Sequence, residues 1–248
     1  MTCLSAVAAL DLWEAAERLP PVERTLALAA AAGPPSGADE LARLPLGSRD
    51  ARLLRIRPDS APAALEATAA CPACGEQAEF SVDVDVLRAR AAEPRPPAPL
   101  EEGGFAVVWR PPDSRDVVVA AEAAAGDAAT AEQVLLARCV ESARGPGGEL
   151  DGTALPPGVR EAVARAMAEA DPLAEVLVDL VCPGCETPFV ADLDLSAFVW
   201  AELSAQAHRL MREVDVLARA YGWTEAEALA LGEARRTAYL ELAGEGRR

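Results

Sequence analysis

The sequence predicts a mostly α-helical protein with a small β component, and three observations carry that expectation. Alanine, leucine and glutamate fill long stretches while aromatic residues make up only 4% of the chain, and the abundant side chains lose little freedom in a helix. From Leu195 onward, Val199, Leu203, Leu210, Val214, Leu217 and Tyr221 keep one helical face over about six turns. Around residue 80 the period changes: Phe80, Val82, Val84 and Val86 alternate with Ser81, Asp83 and Asp85, as in a half-buried strand.

Taken in order, the first segment reads as two short helices. Leu12, Trp13, Ala16 and Leu19 recur at helical spacing, Pro20-Pro21 interrupts, and Val22 to Ala31 resumes. A third helix opens at Leu44-Pro-Leu-Gly-Ser-Arg-Asp50 with Ser48 as N-cap and Leu53, Leu54 and Ile56 facing inward. An extended run from Leu65 leads to Cys71-Pro-Ala-Cys74, and the alternating strand follows it. Residues 91 to 103, rich in proline, alanine and glutamate, form a linker or exposed loop. Gly104 to Arg110 is a strand stopped by Pro111-Pro112, and two helices follow, the second spanning Ala131 to Ser142. Gly145 to Gly158 reads as a flexible joint, Arg160 to Ala170 as a helix ended by Asp171-Pro172, and Glu175 to Val181 as a strand entering Cys182-Pro-Gly-Cys185. After the long helix, Gly222 is the stop, and Thr224 with Glu227 forms a capping box for the next helix.

A chain of 248 residues can bury a real core. Its acidic residues number 40 against 23 basic ones, a net charge of −17; all the basic residues are arginine, and Ile56 is the only isoleucine. An acidic surface repels phosphate backbones and suits basic protein partners, so nucleic acid is not an expected partner. The apolar Met1 to Leu10 lacks a basic region before it, and no run approaches the ~18 apolar residues of a membrane span. A cytoplasmic protein without a membrane segment is therefore expected, in a compartment where paired cysteines more often hold metal than form disulfides.

The chemistry lies in the cysteines. Cys71, Cys74, Cys182 and Cys185 form two Cys-x-x-Cys turns, each presenting two sulfurs at the separation a tetrahedral zinc ion needs. Proline after the first cysteine and a small residue before the second suit a tight turn whose N–H groups support thiolate. An echo strengthens the pairing: Asp83-Val-Asp85 follows the first pair and Asp192-Leu-Asp194 the second. The expected architecture is a split zinc ribbon, two knuckles on short hairpins sharing one structural Zn2+ although Cys74 and Cys182 lie 108 positions apart. Residues 1–64 would be an N-terminal helical segment, 65–194 the split ribbon with a helical insertion at about 91–174, and 195–248 the C-terminal helices. Cys-Pro-x-Cys also occurs in thiol oxidoreductases, at a helix N-terminus; here a strand pattern follows each pair.

The other reactive residue types read blandly. Cys139 lies in an apolar helical run and is expected to be core, and Cys3 sits in the N-terminal segment. His208, the only histidine, is expected on the long helix away from the metal. A Ser-His or Cys-His catalytic pair would need it, and Gly145-Pro-Gly-Gly148 lacks the Lys-Ser/Thr of a phosphate loop. The Asp83/Asp85 and Asp192/Asp194 pairs belong on a solvated face, and Arg235-Arg236 on a helix surface where it could meet an acidic partner. No enzyme activity and no small-molecule substrate are expected.

Several motifs together resemble the T4-type baseplate hub assembly chaperone (baseplate protein) family of contractile phage tails and related injection systems. They are Leu44-Pro-Leu-Gly-Ser-Arg-Asp-Ala-Arg-Leu-Leu54, Cys71-Pro-Ala-Cys-Gly75, Leu135-Leu-Ala-Arg-Cys-Val140 and Cys182-Pro-Gly-Cys185. Phe198-Val-Trp-Ala-Glu202, Leu217-Ala-Arg-Ala-Tyr-Gly-Trp-Thr-Glu225 and Arg235-Arg-Thr-Ala-Tyr-Leu-Glu-Leu242 complete the set, spanning most of the chain. The segment Glu186-Thr-Pro-Phe189 departs from it, since similar sequences carry histidine and an aromatic residue there. The resemblance implies a non-enzymatic part of a contractile tail-like particle with other baseplate and hub proteins as partners. The exposed faces of Leu195–Tyr221 and Thr224–Leu242 would be docking surfaces. The competing expectation is a zinc-ribbon nucleic-acid or transcription module, which calls for a basic stripe near the knuckles; instead Glu76, Glu79, Asp83, Asp85, Glu186, Asp192 and Asp194 follow them.

Overall fold

The computed structural model describes residues 4–34, 36–57, 62–91 and 97–245. The protein is mostly helical with small antiparallel sheets, and among the described residues the apolar side chains gather into three clusters. Among the described residues no helix is long and apolar enough to cross a membrane.

The first cluster is helical. α1 (Ala6–Ala16) and α2 (Pro21–Ala31) are separated at Pro20 as the sequence predicts, Ser5 capping the first and Pro21 occupying the first turn of the second. After the short α3 (Ala38–Ala42), which lies against α2, α4 (Leu46–Leu53) packs with α1 and α2 on α9 (Leu195–Tyr221), burying Leu28, Leu53, Ile56, Val199, Leu203 and Leu210 together. Tyr221, placed on that buried face by its spacing, is 38% exposed and stacks on Trp223 at 4.8 Å. Beyond Gly222, Thr224 and Glu227 form the expected reciprocal capping box. The helix they open, α10 (Glu225–Ala230), is short; the chain breaks at Leu231-Gly232 before α11 (Glu233–Glu245).

The second cluster joins two hairpins. β1 (Ala64–Ala70) pairs with β2 (Gln77–Asp83), and β7 (Leu177–Val181) with β8 (Pro188–Asp192). Leu65, Val84, Leu87, Val176, Leu193 and Leu195 meet between them. The expected strand through Val86 ends early. Asp83 accepts the Asp85 N–H at 2.7 Å and starts α5 (Val84–Ala91), which buries Val84 and Leu87 at helical spacing and leaves Val86 half exposed.

The segment between the hairpins is mixed, not purely helical. Four antiparallel strands, β3 (Leu100–Glu102), β4 (Phe105–Trp109), β5 (Val140–Gly145) and β6 (Gly148–Leu150), run in that order across one sheet. β3 falls inside the expected linker, whose residues 92–96 lie outside the described residues. Two helices, α6 (Ser114–Ala124) and α7 (Ala128–Cys139), link β4 to β5. The second stops at Cys139 instead of Ser142, because β-branched Val140 pairs with Trp109 and carries the chain into the sheet. The expected flexible joint is likewise ordered: Pro146-Gly147 turns β5 into β6, and α8 (Pro157–Ala170) follows a single 3₁₀ turn. Val107, Trp109, Leu136, Val159 and Val163 form this third core.

The Leu44–Asp50 segment is where these bodies meet. Pro45 bridges to Asp113, the Leu46 N–H donates to Pro112 O at 3.1 Å, and Arg49 donates to Ser114 at 3.0 Å. Ser48 is not the N-cap: Pro45 is, and Asp171 at the end of α8 accepts the Gly47 N–H at 2.7 Å. A side chain at Gly47 would place its Cβ 2.4 Å from Asp171 Oδ1 and 2.7 Å from the Ala174 nitrogen, so only glycine allows this approach.

Candidate metal centre

Each cysteine pair sits in the turn of a hairpin, and the two turns are the same backbone. The Cys71 N–H donates to Glu76 O at 2.8 Å and the Gly75 N–H to Cys71 O at 2.8 Å; in the second turn Cys182 donates to Thr187 O and Glu186 to Cys182 O, both at 3.0 Å. The residue after each second cysteine is left-handed, Gly75 at φ 79° and Glu186 at φ 57°. Glycine adopts that conformation freely, while glutamate carries the steric cost of its Cβ.

One constant offset, the one that carries Cys71 onto Cys182, relates the two units well beyond the turns. It carries Glu66↔Ser81 onto Leu177↔Asp192 and Thr68↔Glu79 onto Asp179↔Val190, so the strand registers are identical. It carries buried Leu65 onto buried Val176 and Val84 onto Leu195. Asp83 falls on Asp194, which caps α9 by accepting the Ala197 N–H at 2.9 Å. The sequence echo set Asp83 against Asp192, two positions out of step. The same offset carries Leu44-Pro45-x-Gly47-x-Arg49-Asp50-Ala51 onto Leu155-Pro156-x-Gly158-x-Arg160-Glu161-Ala162. Thus α8, assigned to the insertion from sequence, corresponds to α4, and each unit is helix, hairpin, helix. That second motif is a signal the sequence reading missed.

The offset units meet at the sulfurs. Cys71 Sγ lies 3.8 Å from Cys185 Sγ and Cys74 Sγ 3.5 Å from Cys182 Sγ, and all four sulfurs fall within 4.8 Å of one another. First cysteine faces second cysteine across the pair in both directions, as a pseudo-twofold axis through the cluster requires. A disulfide would hold its sulfurs about 2.05 Å apart; these separations leave room for an ion at the centre instead. Cys71 and Cys182 are buried, Cys74 and Cys185 exposed.

The charge balance of the cluster points the same way. Cys185 is pulled down to about 6 by the Thr187 hydroxyl and backbone N–H, together with the sulfurs of Cys74 and Cys182. The Glu76 backbone N–H favours thiolate at Cys74, yet the sulfurs of Cys185, Cys182 and Cys71 outweigh it and push Cys74 up to about 12. A thiolate at Cys185 opposes one at Cys74, a repulsion that a bound cation would relieve. The Gly184 N–H reaches Cys182 Sγ at 3.4 Å, the kind of donor that steadies a metal-bound thiolate.

Among the described residues, the structure keeps the other reactive side chains apart from this cluster. Cys139 is fully buried, and burial, with Asp116 near it, pushes its thiol up to about 12. Asp116 itself is held at about 2: burial raises it, but bonds from Arg110 at 2.6 Å and 3.0 Å and from Arg138 at 2.9 Å overcome that cost. His208 lies on α9, its Nδ1 2.7 Å from Ser204 O and its ring edge-on to Trp13. Asp83, Asp85, Asp192 and Asp194 are exposed, as expected. Arg235 is exposed, but Arg236 is not a surface residue: it is 5% exposed and donates to Glu213 at 2.7 Å, tying α11 to α9. Cys3 lies outside the described residues. A groove of about 350 Å³ between Arg57 and α9 is lined by three arginines; Arg57 donates to both Glu202 oxygens at 2.6 Å and 2.7 Å, and Arg209 pairs with Glu213 at 3.7 Å. No known protein family, curated protein or solved structure matches the chain.

Proposed function

We propose that the protein is a non-enzymatic, zinc-stapled structural or assembly component of the baseplate or hub of a contractile phage-tail-like particle, acting in the cytoplasm. The observation that carries the staple is the four-sulfur cluster drawn from two hairpins 108 positions apart at their nearest cysteines. Zinc bound to four thiolates at about 2.3 Å sets its sulfurs about 3.8 Å apart, and the pairs at 3.5 Å and 3.8 Å match that spacing. In this reading the hairpins are the two halves of a split zinc ribbon holding one ion. The ion serves architecture, because four cysteines fill a tetrahedral site and leave no open position for substrate.

The baseplate context rests on the sequence resemblance, with other baseplate and hub proteins as partners. Its test is mass spectrometry on sheathed particles pelleted from the native host. Finding the protein at a few copies per particle is the expected result. A host that makes such particles identically after deletion of the gene, with the protein absent from them, removes the reading. The acidic groups around both turns disfavour a nucleic-acid module, and no electrophoretic shift is expected even at low salt.

A further inference from the structure

Two hairpins of one backbone geometry turn opposite kinds of face to solvent. At six matching register positions β1–β2 exposes Glu66, Thr68, Ala70, Gln77, Glu79 and Ser81, whereas β7–β8 exposes Leu177, Asp179, Val181, Pro188, Val190 and Asp192. Among the described residues only four large apolar side chains are more than half exposed, and three of them are here: Val181 at 65%, Val190 at 58% and Leu177 at 53%. Valine favours a strand wherever it sits, but strand propensity does not account for the face. The first hairpin forms with glutamate, threonine and glutamine in those places, and leucine and proline bring no comparable gain. The core between the hairpins is already filled, by Leu65 and Val84 at the ends of the first and by Val176 and Leu193 at the ends of the second. Among the described residues nothing covers the outer face of the second, and an exposed apolar face of this kind suits a partner.

The charges on that face choose among occupants. Its only ionisable groups are Asp179, beside Val190 at the centre, and Asp192, opposite Leu177. Neither makes an ion pair among the described residues, and β7 and β8 contain no arginine. A second copy related by a twofold axis would bring acid against acid, on a chain of net charge −17. A complementary surface is apolar and carries cations.

We propose that the outer face of the β7–β8 hairpin, Leu177, Val181, Pro188 and Val190 around Asp179, docks a segment of a different protein that combines apolar side chains with arginine or lysine. The apolar side chains cover Val181 and Val190, and the cation pairs with Asp179. The inference gives the assembly reading a contact surface and rests on it only for the partner's identity.

The probe is a short synthetic peptide alternating valine with lysine, compared with one alternating valine with glutamate, offered to the full metal-loaded chain. Binding is read by fluorescence anisotropy, and the footprint by hydrogen exchange. The valine-lysine peptide is expected to bind and to slow exchange in β7–β8 while leaving β1–β2 unchanged. Val181→Ser with Val190→Ser should weaken it about tenfold or more, and Asp179→Asn should weaken it less and flatten its salt dependence. Glu79→Gln on the first hairpin should change neither the affinity nor the footprint. Unchanged metal content in each variant shows that the hairpins remain intact. No binding by the valine-lysine peptide, equal binding by the valine-glutamate peptide, or equal footprints on both hairpins overturns the proposal. So does a dimer in sedimentation that the double serine variant abolishes, since the occupant is then a second copy. Because neither particles nor host enter the test, failure here leaves the baseplate reading standing, and failure of that reading leaves this face to be judged alone.

Discussion

The unit built from α4, β1, β2 and α5 and the unit built from α8, β7, β8 and α9 share a strand register, a turn and a pair of sulfurs, yet differ wherever those features do not constrain them. Around the cysteines, where four sulfurs must converge, the backbone hydrogen bonds agree to within a few tenths of an ångström. Away from them, α5 ends at Ala91 whereas α9 runs on to Tyr221 and supplies the wall of the helical core. One outer face is polar and the other apolar. The contrast separates what the convergence of four sulfurs demands, which is local and symmetric, from what each unit does for the rest of the molecule.

The largest test of that symmetry removes one cysteine pair at a time. Cys71→Ser with Cys74→Ser, and Cys182→Ser with Cys185→Ser, should each take metal content from one ion per chain to none, because either half alone leaves two ligands. Stability should fall by several kcal/mol, less than the roughly 10–16 kcal/mol of isolated zinc peptides, since three apolar cores remain. Acidification should release the ion from the intact protein, as thiols must lose protons to bind it, and metal release followed against pH checks this. A variant that keeps half its metal would mean two independent sites.

Next come the matched core positions. Leu65→Ala should cost about 2–5 kcal/mol in denaturant unfolding, and Val176→Ala somewhat less, as fewer atoms leave the same cluster. Strongly unequal costs beyond that difference in size would show that the units do not share one core.

Gly47 and Gly158 occupy equivalent first turns in different surroundings. Gly47→Ala forces Cβ into Asp171 and the Ala174 backbone, whereas Gly158 has nothing within 4 Å. The first substitution should destabilise by about 1–3 kcal/mol, and the second should be neutral or slightly stabilising. Thermal denaturation of the two variants side by side reads the difference.

The smallest effects belong to the turns. Gly75→Ala should cost about 1 kcal/mol by placing a Cβ in left-handed backbone. Glu186→Gly should return up to about 1 kcal/mol by relieving the same conformation. Opposite signs in chemical denaturation are the expected outcome, and equal signs would break the equivalence of the turns.

Much of this was legible because the signals are local. The cap at Thr224, the stop at Gly222, the face of α9 and the four cysteines each announce themselves within a few residues. The reading failed where a tertiary partner decided between two local options. Val84 and Val86 continue a strand pattern, but Asp83 and the burial of Leu87 favour a helix. Val140 follows a helical run, but Trp109 offers it a ladder. Ser48 has cap chemistry, yet Asp171 from far along the chain takes that place. The repeated Leu-Pro-x-Gly-x-Arg motif was available in the sequence and, aligned on the cysteines, would have assigned α8 correctly. The partnership of the four cysteines could be read from spacing alone; the pseudo-twofold pairing of their sulfurs required the fold.

The measurement that bears most directly on the central claim is metal analysis of the purified chain under reducing conditions, alongside both double-serine variants. The account predicts one zinc per intact chain and none in either variant. An intact chain without zinc, or a variant that retains it, would contradict the claim that two distant hairpins close on a single ion.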